Sequence, residues 1–362
     1  MPSRQGKVSM VMPCYNKVKY ISTMLDTVLA QTWDTIELIL INDGSTDGTR
    51  EVIAEYASRF EARGYETIII DQENAGVCAA AKTGLAHATG DYICMVDADD
   101  ELDPAYVSTL AGWLDEHADC DIAICSGINF RETEGGREFW HYPSKRLPTD
   151  DNEIGPEHFL MGEIIRQTVW IYMVRTEYLR KCRVVENYFV DTRGSHEPGF
   201  VIPLLAYGGK RKYFPSALYN FNGSGDGHSQ FKDMGHAQRF YDTYVELCNI
   251  AIDALPKDIA NPQRKGFLKK AALLSATLRL YRLAVNMKAE STVIESCAVS
   301  LLNDVNTAFA LDPPLTRQQV ASKEYRLTIA IGDCMFNHMS TKDTEDFSGL
   351  DATKLYKDGR AY

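Results

Sequence analysis

Nowhere is the sequence apolar for the roughly 20 consecutive residues that a membrane-spanning helix needs, so no transmembrane segment is expected. The opening Met1-Pro2-Ser3-Arg4-Gln5-Gly6 is polar and runs straight into strand-like sequence, without a secretory hydrophobic segment. No CxxC pair occurs, and nine cysteines cannot all pair within one chain. Cys78, Cys94 and Cys125 lie in apolar stretches, where a reduced thiol acts as a small hydrophobe. Neither structural zinc nor a disulfide scaffold is expected, and a reducing, cytoplasmic setting is. Positive charge is also in short supply. Against 50 Asp+Glu stand 38 Lys+Arg, a net charge of −12, so duplex binding lacks its electrostatic basis and no nucleic-acid partner is expected. No tandem repeat is present. What remains is 362 residues of ordinary globular composition, 45% apolar, enough to bury a full core in one large or two modest domains.

Residues 7–97 repeat one pattern four times: an apolar run, a polar end, then helical periodicity. The runs are Val8–Met12, Leu38–Ile41, Thr67–Ile70 and Tyr92–Val96, each of buried-strand length. Such alternation predicts βαβ units on a parallel sheet, and right-handed crossovers place all four strand ends on one edge. Open α/β sheets bind ligands there. A fifth strand is expected at Asp121–Ser126 and irregular excursions over 127–165. Further strand or helix is expected at Thr168–Arg175, Tyr188–Val190 and Lys212–Tyr219. Helices are expected at His236–Ala254, Gly266–Met287, Thr292–Leu311 and Arg317–Met339, before a polar tail.

Past the strand ends lie the residues that carry chemistry. Asp97-Ala98-Asp99-Asp100 follows the fourth strand directly. Three carboxylates at the mouth of a buried strand repel one another, and a hard divalent ion such as Mg²⁺ or Mn²⁺, sharing its shell with substrate phosphates, would relieve them. A solvated loop capping the helix that begins near Asp103-Pro104 is the other reading. After the second strand, Asn42-Asp43-Gly44-Ser45-Thr46-Asp47-Gly48-Thr49 reads either as a turn that caps a helix and leaves Asp43 to accept a bond from a base or sugar, or as a capped turn with no ligand.

Pro13-x-Tyr15-Asn16, Asn42-Asp43-Gly44-Ser45-x-Asp47, Asn74-x-Gly76 and Gly90-Asp91-Tyr92-x5-Asp97-Ala98-Asp99-Asp100, in this order and spacing, resemble the inverting glycosyltransferases of family 2. The resemblance covers residues 7–110 strongly and 165–230 weakly. It implies a GT-A-like, Rossmann-type, mostly parallel sheet flanked by helices; the helical C-terminal domain is expected from the periodicity after Gly235 alone. The chain then divides into a glycosyltransferase domain at 1–232 (nucleotide-binding half 7–126, acceptor half 127–232), helices at 233–339 and the tail at 340–362.

Carried over residue by residue, the resemblance implies a nucleotide-sugar donor, with Pro13 and Tyr15 lining the nucleobase pocket, Tyr15 stacking on the ring, and Asn16 in the donor site. Asp43 would accept uracil N3–H, favouring a UDP-sugar, and Asn74 and Gly76 would line the donor. Asp97 would face the ribose or the metal shell, Ala98 would belong to the donor site, and Asp99 would ligate a Mn²⁺ or Mg²⁺ bridging the diphosphate. The family continues Asn-x-Gly into Ala-Arg-Asn; here the stretch is Ala80-Ala81-Lys82, so the arginine is missing and Lys82 is the residue to take over, on Asp43 or on a phosphate.

An inverting transfer also needs a base for the acceptor hydroxyl. The family's acidic pair before an aromatic maps onto His196-Glu197-Pro198-Gly199-Phe200, giving Glu197 as base, with His196 beside it and Asp191 as a second candidate. The Pro-Gly step also allows Glu197 to be a surface residue before a turn. In Gly223-Ser224-Gly225-Asp226-Gly227-His228-Ser229, which resembles the family's closing loop, His228 is the candidate third metal ligand or an exposed loop histidine. Trp170 is an acceptor platform or a core ring. The basic run Arg264–Lys270 is a solvated helix face or a peripheral contact with a membrane holding lipid-linked acceptors. The acceptor itself would be a hydroxyl of a glycan, a lipid-linked sugar or a polymer. Two other classes stay open: an aspartate-nucleophile phosphatase, although the Asp-x-Asp-Gly-Thr motif is not met, and a sugar-nucleotide-binding scaffold that has lost its base.

Overall fold

The computed structural model describes residues 5–141, 150–161, 167–187, 195–223 and 231–309. It divides into two compact units, Met1–Ser144 with Thr168–His228 and Lys145–Gln167 with Ser229–Tyr362. In the first unit β1 (Val8–Cys14), α1 (Ile21–Leu29), β2 (Ile36–Asp43), α2 (Thr49–Arg63), β3 (Glu66–Gln72), α3 (Val77–His87) and β4 (Tyr92–Met95) follow one another. β2 pairs parallel with β1 and β3, and β1 with β4, so the expected four strand ends do share one edge. β2 is buried at every position, as a central parallel strand should be, whereas β3 lies at the sheet edge and is half-buried.

α3 reaches the sheet through small residues. Ala80, Ala81 and Gly84 face inward, and a Cβ at Gly84 would sit 2.4 Å from Val11 Cγ1 and 2.6 Å from Ile41 Cδ1. Glycine here sets how closely helix and strands approach.

Beyond β4 the sheet becomes mixed. The next elements are β5 (Glu101–Leu102), α4 (Tyr106–Glu116), β6 (Ile122–Thr133) and β7 (Gly136–His141). After α5 (Pro156–Met161), which belongs to the second unit, come β8 (Tyr172–Arg175), α6 (Thr176–Lys181), α7 (Val184–Asn187), α8 (Glu197–Ala206) and β9 (Arg211–Asn222). The strand order is β3-β2-β1-β4-β8-β6-β9-β5, with β7 hairpinned onto β6. β8 runs antiparallel to both β4 and β6, and β9 runs parallel to β6 and antiparallel to β5.

The expected fifth strand continues past Ser126 to Thr133, and a hairpin stands where irregular excursions were expected. Charge on its outer positions hid the alternation: Arg131 opposes Glu138, and Arg137 pairs with Glu132 at 2.7 Å. Tyr188–Val190 lies outside the described residues.

The second unit is helical. α9 (Met234–Ala254), α10 (Pro262–Asn286) and α11 (Ser291–Phe309) match the expected periods to within a few residues, and α10 packs against α9, α11 and α5. Asp233 caps α9 by accepting from the His236 amide at 2.7 Å. Residues 145–167, assigned from sequence to the acceptor half, group with these helices. Several cations of the basic run are engaged locally: Arg264 pairs with Glu157, Lys269 with Asp253 at 2.6 Å, and Lys265 donates to the Asp253 carbonyl. Among the described residues no helix is long and apolar enough to cross a membrane, and no disulfide joins two of the eight described cysteines. The expected helix 317–339 and the tail fall outside the described residues.

A buried carboxylate pins the start of the parallel sheet. Glu37, 1% exposed, accepts from the Ser9 hydroxyl, from Thr89 N and Oγ1 at 2.9 and 2.5 Å, and from Lys7 Nζ at 3.0 Å. It thereby ties β2 to β1 and to the turn before β4. Although burial raises it, these donors hold its pKa below the usual glutamate value. Glu37→Ala should cost about 3 kcal/mol, since four donors lose their acceptor, and urea unfolding at pH 7 measures it. Because the folded pKa is depressed, the Glu37 contribution is present above the unfolded pKa and is lost as pH falls through the folded one.

Candidate active site at the strand ends

The loops after β1 and β2 are laced together. Asn16 takes a left-handed backbone (φ 51°), its amide donates to Ser45 Oγ at 3.1 Å and its Oδ1 accepts from Thr46 N at 2.8 Å. Lys17 N donates to Thr49 Oγ1 at 2.7 Å, and Val18 N to Asp47 Oδ2 at 3.1 Å. Asn16 is thus a structural clamp, which leaves Tyr15, 47% exposed, as the open aromatic ring of this edge. Pro13, next to last in β1, is half-buried.

Asp43 is not left free. Its Oδ1 accepts from Gln72 Nε2 at 2.7 Å and Ala75 N at 3.0 Å, and its Oδ2 from Gly76 N at 2.9 Å. The carboxylate, 2% exposed, is oriented by the Asn74–Gly76 turn, whose Gly76 (φ 93°) opens α3. Gly44 (φ 70°) permits the close approach of that turn, because a Cβ there would lie 2.8 Å from Asn74 N. Lys82, half-buried on α3, is not among the partners of Asp43.

The acidic corner is built from three strands. Val96 N donates to Val11 O, Asp97 N donates to the Tyr219 hydroxyl at 3.0 Å, and Asn222 N donates to Asp100 Oδ1 at 2.7 Å. β4, β1 and β9 therefore hold the loop from opposite sides. Ala98 is buried, whereas Asp97 and Asp99 are half-buried and open to the edge. Asp100 is 1% exposed, and its Oδ2 has no hydrogen-bond partner. Burial, then the charges of Asp97 and Asp99, lift it well above the carboxylate range. Asp97 is pushed up to about 7, first by burial and then by Asp99 and Glu197, with Lys17 acting the other way. The cation present is Lys17, whose Nζ lies 2.5 Å from Asp99 Oδ2.

That electrostatic influence brings Glu197 to the corner. It sits in the first turn of α8, where Pro198 and Gly199 begin a helix rather than a turn, and where the helix N-terminus favours a carboxylate. Ser195 Oγ donates to it. His196, the residue before the helix, is 6% exposed. Asp191 and His228 lie outside the described residues.

Trp170 is not an exposed platform. It is 2% exposed, stacks on Tyr219 with centroids 4.0 Å apart, and presses on the bare backbone of Gly127. Its role is to back Tyr219, whose hydroxyl takes the Asp97 amide. Sequence reasoning missed both Tyr219 and Lys17. Tyr219 was signalled by its alternation with Phe221 on one strand face, and Lys17 by a cation directly after the first strand end.

Among the described residues, no group of three or more acidic, histidine or cysteine side chains is placed to hold a metal ion by itself. Asp97 and Asp99 instead offer an incomplete set of oxygens, crowded with like charge, beside the unpartnered oxygen of Asp100. An all-oxygen, open set of this kind suits a hard divalent ion that completes its shell on phosphate oxygens.

Comparison with known proteins agrees with this geometry. Residues 9–168 match the model of Glycosyl transferase family 2. This part of the chain belongs to that family. The uncharacterized glycosyltransferase YibD of Escherichia coli is 31% identical over 224 residues, 61% of this chain and 62% of that protein. The chain thus spans less than two thirds of that relative. In fold, the chain is similar to Staphylococcus aureus TarS 1-349 (TM-score 0.58, 17% identity, covering 98% of this chain and 93% of that one), a protein also solved with UDP-GlcNAc. It is also similar to the mannosyltransferase PcManGT of Pyrobaculum calidifontis, solved with GDP-Man and Mn²⁺ (TM-score 0.51, 16% identity, covering 86% and 83%). The GT-A-like fold expected from the sequence is the fold observed.

Replacing Trp170 with Ala should lower stability by about 3–5 kcal/mol through loss of a buried ring, read by urea denaturation; a surface platform would cost little. The raised pKa of Asp97 means that the folded protein binds a proton the unfolded chain has released. Stability of the metal-free protein should therefore decline as pH rises from about 4 towards 7, and Asp97→Asn should flatten that decline in thermal melts across the same range.

Proposed function

We propose that this family 2 chain is an inverting glycosyltransferase that moves a sugar from a nucleotide-sugar donor, UDP-linked, to an acceptor hydroxyl of a glycan, lipid-linked sugar or polymer. The observation that carries the reading is the convergence of Glu197 with the Asp97–Asp100 corner at the edge where the strands end. Tyr15 supplies an exposed ring for a nucleobase, and Asp43 an oriented carboxylate for a base N–H. Uracil N3–H suits that acceptor, although a guanine edge also offers donors, so the nucleobase is part of the test.

In the reaction, the acceptor oxygen attacks the anomeric carbon from the face opposite the departing diphosphate. The new C–O bond forms as the bond to the diphosphate breaks, and Glu197 takes the hydroxyl proton. Asp97 and Asp99 would hold a Mn²⁺ or Mg²⁺, which when bound supplies positive charge to the leaving diphosphate. Tyr219 fixes the Asp97 amide, and Asn222 fixes Asp100, so the loop is set before substrate arrives.

Asp99→Ala should lower transfer from the preferred nucleotide sugar by about a hundredfold or more. Glu197→Gln should lower kcat by a similar factor while leaving donor affinity nearly unchanged. A thermal-shift screen of UDP- and GDP-sugars with Mn²⁺, followed by assays of transfer and donor hydrolysis, checks both. Donor binding with neither transfer nor hydrolysis would favour a binding protein on the same fold, and near-normal rates in Glu197→Gln would move the base elsewhere.

A further inference from the structure

Among the described residues of the first unit, Lys17–Asp99 shares with Lys7–Glu37, at 24% and 2%, the least exposure of the ion pairs. Its side chains are 22% and 16% exposed, whereas Arg50–Asp71 stands at 37% and 52% and Arg131–Glu138 at 56% each. The lysine backbone is fixed on both sides, by Thr49 Oγ1 at its own amide and by Asp47 at the next. Its side chain is therefore aimed at the corner by the same clamp that presents Tyr15. Asp99 Oδ2, which it occupies at 2.5 Å, is also an oxygen that a divalent ion would need. Asp97, Asp99 and Asp100 each act on Lys17, so one ammonium faces the whole acidic cluster. A lysine suits this place better than an arginine, because a point charge on a flexible stem can leave one oxygen and find another.

We propose that Lys17 is the resident counter-ion of the Asp97–Asp100 corner, holding Asp99 Oδ2 in the donor-free protein in competition with the divalent ion and passing to a phosphate oxygen when the nucleotide diphosphate enters. The inference rests on the metal-dependent, nucleotide-sugar reading above. No bond is made or broken: one ion pair is exchanged for another, and the diphosphate brings the negative charge that the ammonium follows. Lys17 thereby links metal binding to nucleotide binding. Without nucleotide it blocks the metal, and with nucleotide it adds a phosphate contact.

The test is calorimetric titration of the full chain with Mn²⁺ alone, then with UDP at saturating Mn²⁺, for wild type, Lys17→Met, Lys17→Gln and Lys17→Arg. Lys17→Met and Lys17→Gln should bind Mn²⁺ alone about tenfold or more tightly than wild type, because the competitor is gone. They should bind UDP about tenfold more weakly, and Lys17→Arg should stay nearer to wild type on both counts. Melting in 1 mM Mn²⁺, with no nucleotide, gives a second readout for any variant that is poorly stable: Mn²⁺ should raise Tm more in Lys17→Met than in wild type. Unchanged or weaker Mn²⁺ binding in both neutral variants, while wild type binds Mn²⁺, would overturn the role of Lys17 and leave the metal reading standing. Absence of Mn²⁺ binding in every protein, with or without UDP, would overturn the metal reading and this proposal with it.

Discussion

Everything at the working edge of this protein is arranged around like charge held where water is scarce. Asp97, Asp99 and Asp100 follow a fully buried strand without a break, and Glu197 adds a fourth carboxylate from another element. In water such a group would spread apart. Here the chain cannot spread, since Val96 is bonded to β1 and Asn222 holds Asp100 from β9. The consequences are the raised pKa values of Asp97 and Asp100, the unpartnered oxygen of Asp100, and the lysine drawn onto Asp99. A site under this kind of electrostatic tension favours whatever brings positive charge.

The support behind the corner is aromatic and apolar. Trp170 stacks on Tyr219, Tyr106 meets Tyr219 edge-on, and the Tyr106 hydroxyl donates to the Trp170 carbonyl at 2.8 Å. The ring cluster fixes one phenol oxygen under the Asp97 amide. Packing and chemistry are linked here through a single hydrogen bond, so a change deep in the core of the first unit would be felt as a displaced backbone at the edge.

The parallel half of the fold and its edge were legible in the sequence because both signals are local. Strand-length apolar runs such as Leu38–Ile41 are continuous, and Asn42-Asp43-Gly44-Ser45 or Asp97-Ala98-Asp99-Asp100 sit directly at their ends. The β6–β7 hairpin was not legible, since cross-strand ion pairs such as Arg131–Glu138 put charge where a simple pattern expects loop. Trp170 is ambiguous in one dimension: a tryptophan in an apolar stretch reads the same whether its face is covered or open, and the stack on Tyr219 joins residues distant in sequence. The pairing of Lys17 with Asp99 spans 82 positions, and no local pattern announces it. Asp43 illustrates the reverse case. Its motif marked it correctly as an edge residue, but only the fold shows that the Asn74–Gly76 turn already bonds it.

The lacing of Asn16 to Ser45 and Thr46 has a thermodynamic meaning of its own. Ordering a surface loop costs conformational entropy, and a pocket that must be assembled on contact incurs that loss at every encounter. Here the left-handed turn at Asn16 is settled when the chain folds, so Tyr15 is carried on a rigid mount. An incoming nucleobase would meet a ring already in position, and the freedom surrendered on binding would be chiefly that of the ligand.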